Sequence, residues 1–234
     1  MIDASIQAAA TKLSRRLKKG NFTLTVAESC TGGLLSSTLT DIAGASSWFK
    51  RSYVTYANEA KVEELGVDPK ELATKGAVSA QVAIQMANGA LKRSGADLAI
   101  SITGIAGPTN EGSSKPVGTV YVGIASKQWA NAKRTQIGGS RAENKIGFVQ
   151  FAILTAMQSW DDAMVMLAER EKKEIDEIES AKRQRSEREA QQEAARKKRE
   201  EDARAKAPWQ DEAWNGTTIS RKKGLEVEWK DSEE

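Results

Sequence analysis

Hydrophobic residues recur along the first 160 positions with two different periods. Helical spacing occurs in four stretches, residues 6–20, 34–44, 79–95 and about 141–159. Alternating or uniformly apolar stretches, rich in β-branched residues, occur at 22–28, 52–58, 97–108 and 117–126. The first period is typical of amphipathic helices and the second of strands. This alternation of helices and strands predicts an α/β domain over residues 1–160.

The pattern changes after residue 160. Residues 168–206 have few apolar positions beyond Ile175 and Ile178. Acidic residues precede basic residues by four positions at Glu169/Lys173, Glu179/Arg183, Glu193/Lys197 and Glu200/Arg204. Such pairs stabilise a solvated helix, whereas a coiled coil needs a continuous apolar seam. Residues 161–206 are therefore predicted to form a charged single helix, in which residues 168–206 would be a rod of roughly 60 Å.

Residues 207–234 form an irregular, polar tail that contains Trp209, Trp214 and Trp229, three of the six tryptophans of the chain. Tryptophan is a frequent anchor at protein interfaces, and the rest of the tail has the composition of a disordered segment. We expect the tail to bind a partner protein. The alternative is that it folds back on its own domain, because the same burial of apolar surface stabilises both arrangements.

Charge is distributed unevenly along the chain. Residues 1–160 contain 18 Lys/Arg and 11 Asp/Glu, whereas residues 161–234 contain 17 and 21. The basic character therefore belongs to the first part. Nucleic-acid binding ranks last among the functions considered, because the basic residues are scattered among helices and the basic runs at 196–200 and 221–223 lie among acids.

The chain contains no histidine and a single cysteine, Cys30. This composition excludes a Ser-His-Asp triad, a Cys-His pair, histidine-bearing zinc sites and an internal disulfide. Neither a leader-like segment nor a long apolar run is present, so a cytoplasmic protein without a membrane segment is expected. No cofactor and no metal are expected, and composition leaves open only a carboxylate-bound magnesium ion.

Three stretches carry candidate chemistry. In "AESCTGG", a predicted strand ends near Glu28, and Ser29 lies where backbone N–H groups and a helix N-terminus would stabilise an anion; the alternative is a simple tight turn. Lys61, one turn into the helix after "YAN", is either a solvated surface lysine or a desolvated base with a lowered pKa. Tyr56 ends the preceding strand. Thr103 begins a glycine-rich turn after a buried strand, where open α/β sheets bind ligands, unless this is only a long loop.

Five motifs occur in the order "AESCTGG", "YANEAK", "GAVS", "TGIAGP" and "KPVGTVYVG". With this order and spacing, residues 5–159 resemble the CinA C-terminal domain family. The resemblance implies a three-layer α/β/α sandwich around a central sheet and a homodimer. It also implies hydrolysis of the carboxamide of nicotinamide mononucleotide, a pyridine nucleotide, to nicotinate mononucleotide and ammonia.

The resemblance also assigns roles to individual residues. Ser29 would be the nucleophile, Lys61 the general base and Tyr56 an assisting hydroxyl. The remaining positions would bind substrate, namely Thr31, Gly32 and Gly33 beside the nucleophile, Thr103, Gly104 and Gly107 in the pocket wall, and Arg141 at the phosphate. Lys145 stands where family members often have a second arginine, which weakens the expected phosphate contact because lysine is only a point charge. Cys30 is expected to be a buried structural thiol, since it has no histidine partner.

The resemblance leaves residues 161–234 unexplained. A second interpretation is therefore a structural or scaffold protein that reuses the domain, with the charged helix and the tail binding a partner.

Overall fold

The computed structural model describes residues 4–110 and 112–205. Their contacts form two compact units, the first ending at Lys172 and the second beginning at Lys173. The predicted partner-binding tail, residues 207–234, lies outside the described residues.

The first unit contains a five-stranded mixed sheet. Its strands are β1 (Leu24–Glu28), β2 (Phe49–Val54), β3 (Leu98–Gly104), β4 (Thr119–Ser126) and β5 (Ala130–Gln136). Their order across the sheet is β2-β1-β3-β4-β5. β1 runs parallel to β2 and β3, whereas β4 is antiparallel to both β3 and β5. The carboxyl ends of β1, β2 and β3 therefore meet at one edge of the sheet.

The helices are α1 (Ala4–Gly20), α2 (Leu34–Thr40), α3 (Asn58–Leu65), α4 (Pro69–Lys75), α5 (Ala80–Ser94) and α6 (Arg141–Ala205). Ser79 caps α5, its side chain accepting from the N–H of Val82, and Gly95 ends the same helix in the left-handed conformation. Both caps were predicted from the sequence. The stretches predicted as separate helices at 141–159 and 168–206 belong, up to Ala205, to one helix, α6.

The two faces of the central strand β3 pack against different helices. Leu98, Ile100 and Ile102 pack into a large cluster with side chains of α1, α2 and α6. On the other face, the Ser101 hydroxyl donates to the carbonyl oxygen of Ala83 in α5 at 2.6 Å. Burial of each large aliphatic side chain stabilises the fold by about 1.5–3 kcal/mol. Helices thus cover both faces of the sheet, and the predicted three-layer α/β/α sandwich is confirmed.

Close packing requires a glycine in β4. A Cβ atom at Gly123 would lie 2.3 Å from the carbonyl oxygen of Ala83. The absence of a side chain lets α5 approach the sheet, so this glycine is explained by packing and not by ligand binding.

Two elements were not predicted. β5 is a polar edge strand with no fully buried residue, so it carries no alternating pattern. α4 is short, although its start has a recognisable signal, because Asp68 caps it and accepts from the N–H of Lys70. The strand expected in the run 97–108 ends at Gly104, where the glycine-rich turn was expected, whereas the strand expected to end at Tyr56 ends at Val54.

The described part of the second unit, residues 173–205, belongs to α6, and every side chain in it is exposed. Glu193 and Lys197 pair as predicted, with 3.0 Å between Oε1 and Nζ. Arg183 pairs with Glu187, and Glu200 pairs with Arg196, in each case on the other side from the partner expected. Exposed pairs of this kind contribute only a few tenths of a kcal/mol, roughly 0.3–0.5 each.

Among the described residues, no helix combines the length and apolar character needed to cross a membrane. Within the same residues, no three His, Cys, Asp or Glu side chains are grouped so as to hold a metal ion.

Candidate active site

The turn between β1 and α2 is organised by a buried carboxylate. Glu28, the last residue of β1, is fully buried. Its side chain accepts the N–H groups of Gly33, Leu35 and Ser36 at 3.0, 3.0 and 2.8 Å, and also the Ser36 hydroxyl. Gly32 and Gly33 have φ of +61° and +95°, a conformation that favours glycine. The two glycines therefore serve the path of the chain.

This arrangement changes the expected role of the glycine amides. The N–H of Gly32 donates to the carbonyl oxygen of Ser29 at 3.0 Å, and that of Gly33 donates to the carboxylate at the end of β1. Both amides are thus occupied inside the protein, and neither glycine lines the cleft described below. The N–H of Thr31 donates to no described residue, but Thr31 is fully buried and does not line the cleft; the N–H of Cys30 bonds only to its own thiol, and Cys30 does line the cleft, so the Cys30 amide is the one left in the turn for a ligand.

Ser29 follows directly after β1 and is 8% exposed. Its backbone N–H donates to the carbonyl oxygen of Ile102 in β3 at 3.0 Å, which fixes the residue at the edge where the parallel strands end. Within the described part of the chain, its hydroxyl has no hydrogen-bond partner. Because Ser29 lines the cleft, its Oγ is available to a ligand.

Lys61 lies in α3, the helix that follows β2. It is 1% exposed, and its Nζ donates to the carbonyl oxygens of Thr55, Tyr56 and Ala57 at 2.9, 2.9 and 3.4 Å. Burial lowers the pKa of the ammonium, because the charged form is poorly solvated there. Lys61 is therefore not the solvated surface lysine of the alternative interpretation. It lines the same cleft as Ser29, but the two side chains are not hydrogen-bonded to each other.

Cys30 is a free, buried cysteine beside Ser29. Burial raises the pKa of its thiol to about 12, although the positive charges of Lys61 and Arg141 act in the opposite direction. The thiolate is the reactive form of cysteine, so a thiol with this pKa is a poor nucleophile at neutral pH.

The cleft has a volume of about 500 Å³ and lies at the carboxyl edge of the parallel strands. Its charged lining residues are all basic in the described part of the chain, namely Lys61, Lys75, Lys115 and Arg141. A cavity with one sign of charge attracts ligands of the opposite sign. The cleft is therefore suited to an anionic small molecule.

Arg141, the first residue of α6, is held by two groups of the cleft. Its Nη1 donates to the carbonyl oxygen of Gly107, and its Nη2 donates to the Tyr56 hydroxyl at 2.6 Å. Tyr56 is 56% exposed. The structure thus joins the predicted assisting hydroxyl to the predicted phosphate ligand at the rim of the cleft, while the carbonyl oxygen of the same tyrosine accepts from Lys61.

The remaining predicted residues lie in the cleft wall, and their chemistry is structural. The Thr103 hydroxyl donates to the carbonyl oxygen of Ala77 at 2.8 Å. A Cβ atom at Gly104 would lie 2.7 Å from the carbonyl oxygen of Thr119, and Gly107 has φ of +93°. These features explain the residue types without a ligand.

Sequence reasoning missed three residues that shape the site. Glu28 was noted only as a strand end, because its partners are backbone groups that no side-chain pattern reveals. Lys75 and Lys115 were missed as cleft cations, although they flank or begin the quoted motifs "GAVS" and "KPVGTVYVG". Lys115 is half-buried, and its Nζ lies 3.5 Å from the carbonyl oxygen of Lys75, which links the two sides of the cleft mouth.

The fold and the site together define a class: an α/β/α protein with a serine, a buried lysine and a basic cleft for a small anionic ligand. The sequence profile of the CinA C-terminal domain matches residues 6–159. The chain belongs to this family, as the motifs predicted. Residues 160–234 lie beyond the match.

Individual relatives agree with this assignment. The nicotinamide-nucleotide amidohydrolase PncC of Escherichia coli K12 is 42% identical over 161 residues, which cover 68% of this chain and 98% of that protein. A CinA-like protein of Chlorobium limicola is 48% identical over 149 residues, 62% of this chain and 35% of that protein. The chain thus spans about a third of the length of such CinA-like relatives.

The fold has counterparts among solved structures. A competence/damage inducible protein from Agrobacterium tumefaciens superposes with a TM-score of 0.65 at 38% sequence identity, covering 68% of this chain and 97% of that one. The two proteins are therefore similar in sequence as well as in fold.

Proposed function

We propose that this protein hydrolyses the carboxamide of nicotinamide mononucleotide to nicotinate mononucleotide and ammonia, with Ser29 as nucleophile and Lys61 as general base. The relatives named nicotinamide-nucleotide amidohydrolase support the reaction, since the match covers 98% of their length. The observation that carries the residue roles is the shared cleft: Ser29 and the buried Lys61 line one cavity with no described acidic residue in its wall.

Acylation begins when Ser29 Oγ attacks the carboxamide carbon and its proton passes to the neutral amine of Lys61. The neutral amine has two N–H groups, which suffice for the two carbonyl oxygens at 2.9 Å, while the contact at 3.4 Å is released. Collapse of the tetrahedral intermediate breaks the C–N bond. Lys61 returns the proton to the departing nitrogen, ammonia leaves, and an ester to Ser29 remains.

Deacylation uses the same lysine in the same two steps. Lys61 takes a proton from a water molecule that attacks the ester carbon, and it then gives this proton to Ser29 Oγ as the C–O bond breaks. The product is the nicotinate carboxyl group, and the enzyme returns to its starting state. Neither a histidine nor a metal ion is required by this sequence of steps.

The tetrahedral intermediate carries a negative oxygen, which needs hydrogen-bond donors. We assign this role to the amide of Cys30, because it directly follows the nucleophile and lines the cleft. A backbone N–H of the residue after the nucleophile is a common oxyanion donor in serine hydrolases. Thr31 is fully buried outside the cleft wall, so its contact with substrate stays a prediction, while Gly32 and Gly33 shape the turn.

The phosphate of the substrate belongs at the basic rim. Arg141, Lys115 and Lys75 supply three positive charges there. Arg141 is already oriented by Tyr56 and Gly107, so its guanidinium need not be ordered at the moment of binding. Tyr56 acts in this proposal mainly by positioning Arg141.

The test is ammonia release from nicotinamide mononucleotide by the purified full-length chain, measured beside Ser29→Ala. We expect turnover in the intact chain and a loss of at least about 10³-fold in Ser29→Ala, as for other nucleophile deletions. Ser37→Ala, an exposed serine in α2, is the matched control and should keep full activity. A folded chain without turnover would refute the reaction, and an active Ser29→Ala variant would refute the nucleophile.

We infer a separate, partner-binding role for residues 161–234. The family match ends at residue 159, and all described side chains from 173 to 205 are exposed. Replacing Trp209, Trp214 and Trp229 together by alanine should abolish capture of a partner protein from the source cell without changing ammonia release. Capture of the same proteins by both forms would contradict this role.

We also propose that the chain works in the cytoplasm as a homodimer. Light scattering coupled to size-exclusion chromatography should then give twice the 25.4 kDa of the single chain. A mass equal to one chain at micromolar concentration would contradict the dimer.

A further inference from the structure

Glu28 is a fully buried carboxylate without a described basic partner. In the described part of the chain, no Lys or Arg side chain forms an ion pair with it, and its four donors are three backbone N–H groups and one hydroxyl. A buried charge without a counter-ion is costly unless hydrogen bonds satisfy it. Its presence one residue before the nucleophile calls for an explanation in terms of the site.

The side chain of Glu28 fixes the turn between β1 and α2, which contains Ser29, through hydrogen bonds. Its oxygens bind Gly33 at the end of the turn, and Leu35 and Ser36 in the first turn of α2. The Ser36 hydroxyl in turn contacts the Ser52 hydroxyl of β2. The turn that contains Ser29 is therefore closed at its base by one carboxylate.

The backbone of Glu28 is connected to Lys61 through Thr55. Its carbonyl oxygen accepts the N–H of Thr55 at 2.8 Å, and the carbonyl oxygen of Thr55 accepts Nζ of Lys61 at 2.9 Å. One residue thus connects the segment that carries Ser29 with the segment that carries Lys61. A change in its side-chain hydrogen bonds would move one partner of the pair relative to the other.

We propose that Glu28 is a positioning residue that sets the placement of Ser29 Oγ and of the Cys30 amide toward Lys61. This inference rests on the proposed function.

The test compares Glu28→Gln with wild type in the full-length chain. Glutamine keeps the size of the side chain but replaces one acceptor oxygen by an NH₂ group, which would face N–H donors. Because small displacements of reacting groups are costly in rate, we expect kcat to fall by on the order of 10²-fold while KM changes less than about twofold. Hydrogen exchange should rise in a peptide that spans residues 29–36.

Asp97→Asn is the matched control. Asp97 also accepts a backbone N–H and a hydroxyl, both from Thr23 at 2.9 and 2.8 Å, but at the opposite end of β1. This variant should lower thermal stability and leave kcat per folded molecule unchanged. A carboxylate with a merely structural role would behave in the same way, so the split between kcat and stability distinguishes the two residues.

The inference fails if Glu28→Gln retains the wild-type kcat, or if its exchange in residues 29–36 equals that of wild type. Absence of turnover in the wild-type chain would refute the proposed function instead. In that case the exchange measurement alone decides whether Glu28 holds the Ser29 turn: faster exchange supports it, and equal exchange overturns it.

Discussion

The turn after β1 and the turn after β2 each bury one charged side chain against backbone groups, and they hold it differently. Glu28 accepts four hydrogen bonds, so its carboxylate is saturated. Lys61 donates to three carbonyl oxygens at unequal distances, 2.9, 2.9 and 3.4 Å. Every contact of the first group is 3.0 Å or shorter, whereas the second can give up its contact at 3.4 Å when it loses a proton. In the proposed mechanism this longest contact, and not burial as such, lets Lys61 act as the base.

Among the following changes, replacing Lys61 by methionine should lower the activity most. Methionine is similar in length but cannot accept a proton, so we expect kcat to fall by about 10³-fold, within the range of lost general-base catalysis. Ammonia release under saturating substrate measures it. Lys70→Met, an exposed lysine in α4, is the control. Full activity in Lys61→Met would make Lys61 a structural clamp of residues 55–57.

The pH dependence of kcat/KM should show the same lysine directly. Burial lowers the pKa of Lys61 below 10.5, its ordinary value, although nearby Cys30 and Glu59 act to raise it. The base proposed above is the neutral amine, so kcat/KM should rise about tenfold per pH unit up to the lowered pKa of Lys61 and then level off. A limb that continues to rise up to pH 10.5 would show that the free enzyme does not shift this group.

Stability should depend on the same protonation, with a defined sign. Since the pKa of Lys61 is lower in the folded than in the unfolded chain, the unfolded chain binds more protons between the two pKa values. The free energy of unfolding of wild type relative to Lys61→Met should therefore increase as pH rises through that window. Urea titrations at several pH values measure it, and a decrease would contradict the lowered pKa.

The parts of the fold with periodic sequence were predictable, and the parts held by the backbone were not. β3 and α5 have strong patterns, and Ser79 and Gly95 mark the ends of α5 correctly. β5 is polar because it lies at the sheet edge and pairs only with β4, so it has no apolar period to detect.

The site shows the same division. Ser29 and Lys61 were identified because they stand in the motifs "AESCTGG" and "YANEAK" that resemble the CinA family, and the structure adds that these motifs follow neighbouring parallel strands. The use of the Gly32 and Gly33 amides was not predictable, because it depends on where the Glu28 side chain turns. Lys115 follows a loop without periodicity, so only the tertiary structure shows that its ammonium reaches the carbonyl oxygen of Lys75.

A smaller effect on activity is expected at the basic rim, where the proposed contact is with the substrate phosphate and not with the reacting carboxamide. Lys115→Met should raise KM for nicotinamide mononucleotide by about tenfold with little change in kcat, the loss expected for one charged hydrogen bond. The same nucleoside without phosphate should be hydrolysed equally by both forms. Lys92→Met, exposed on α5, serves as the control. An equal loss for both substrates would place Lys115 outside the phosphate site.

The smallest effect should come from Cys30, which lies beside Ser29 in the turn and also lines the cleft. Its thiol is buried, and with a pKa of about 12 it stays protonated at neutral pH. Cys30→Ala keeps the backbone amide that we assign to the oxyanion, so kcat should stay within about twofold of wild type while the free energy of unfolding falls by about 1 kcal/mol for the lost packing. Ammonia release and urea unfolding measure the two quantities. A loss of kcat as large as that of Ser29→Ala would indicate that the thiol, and not the serine, is the nucleophile. Cys30 would then be the reacting group in the turn after β1.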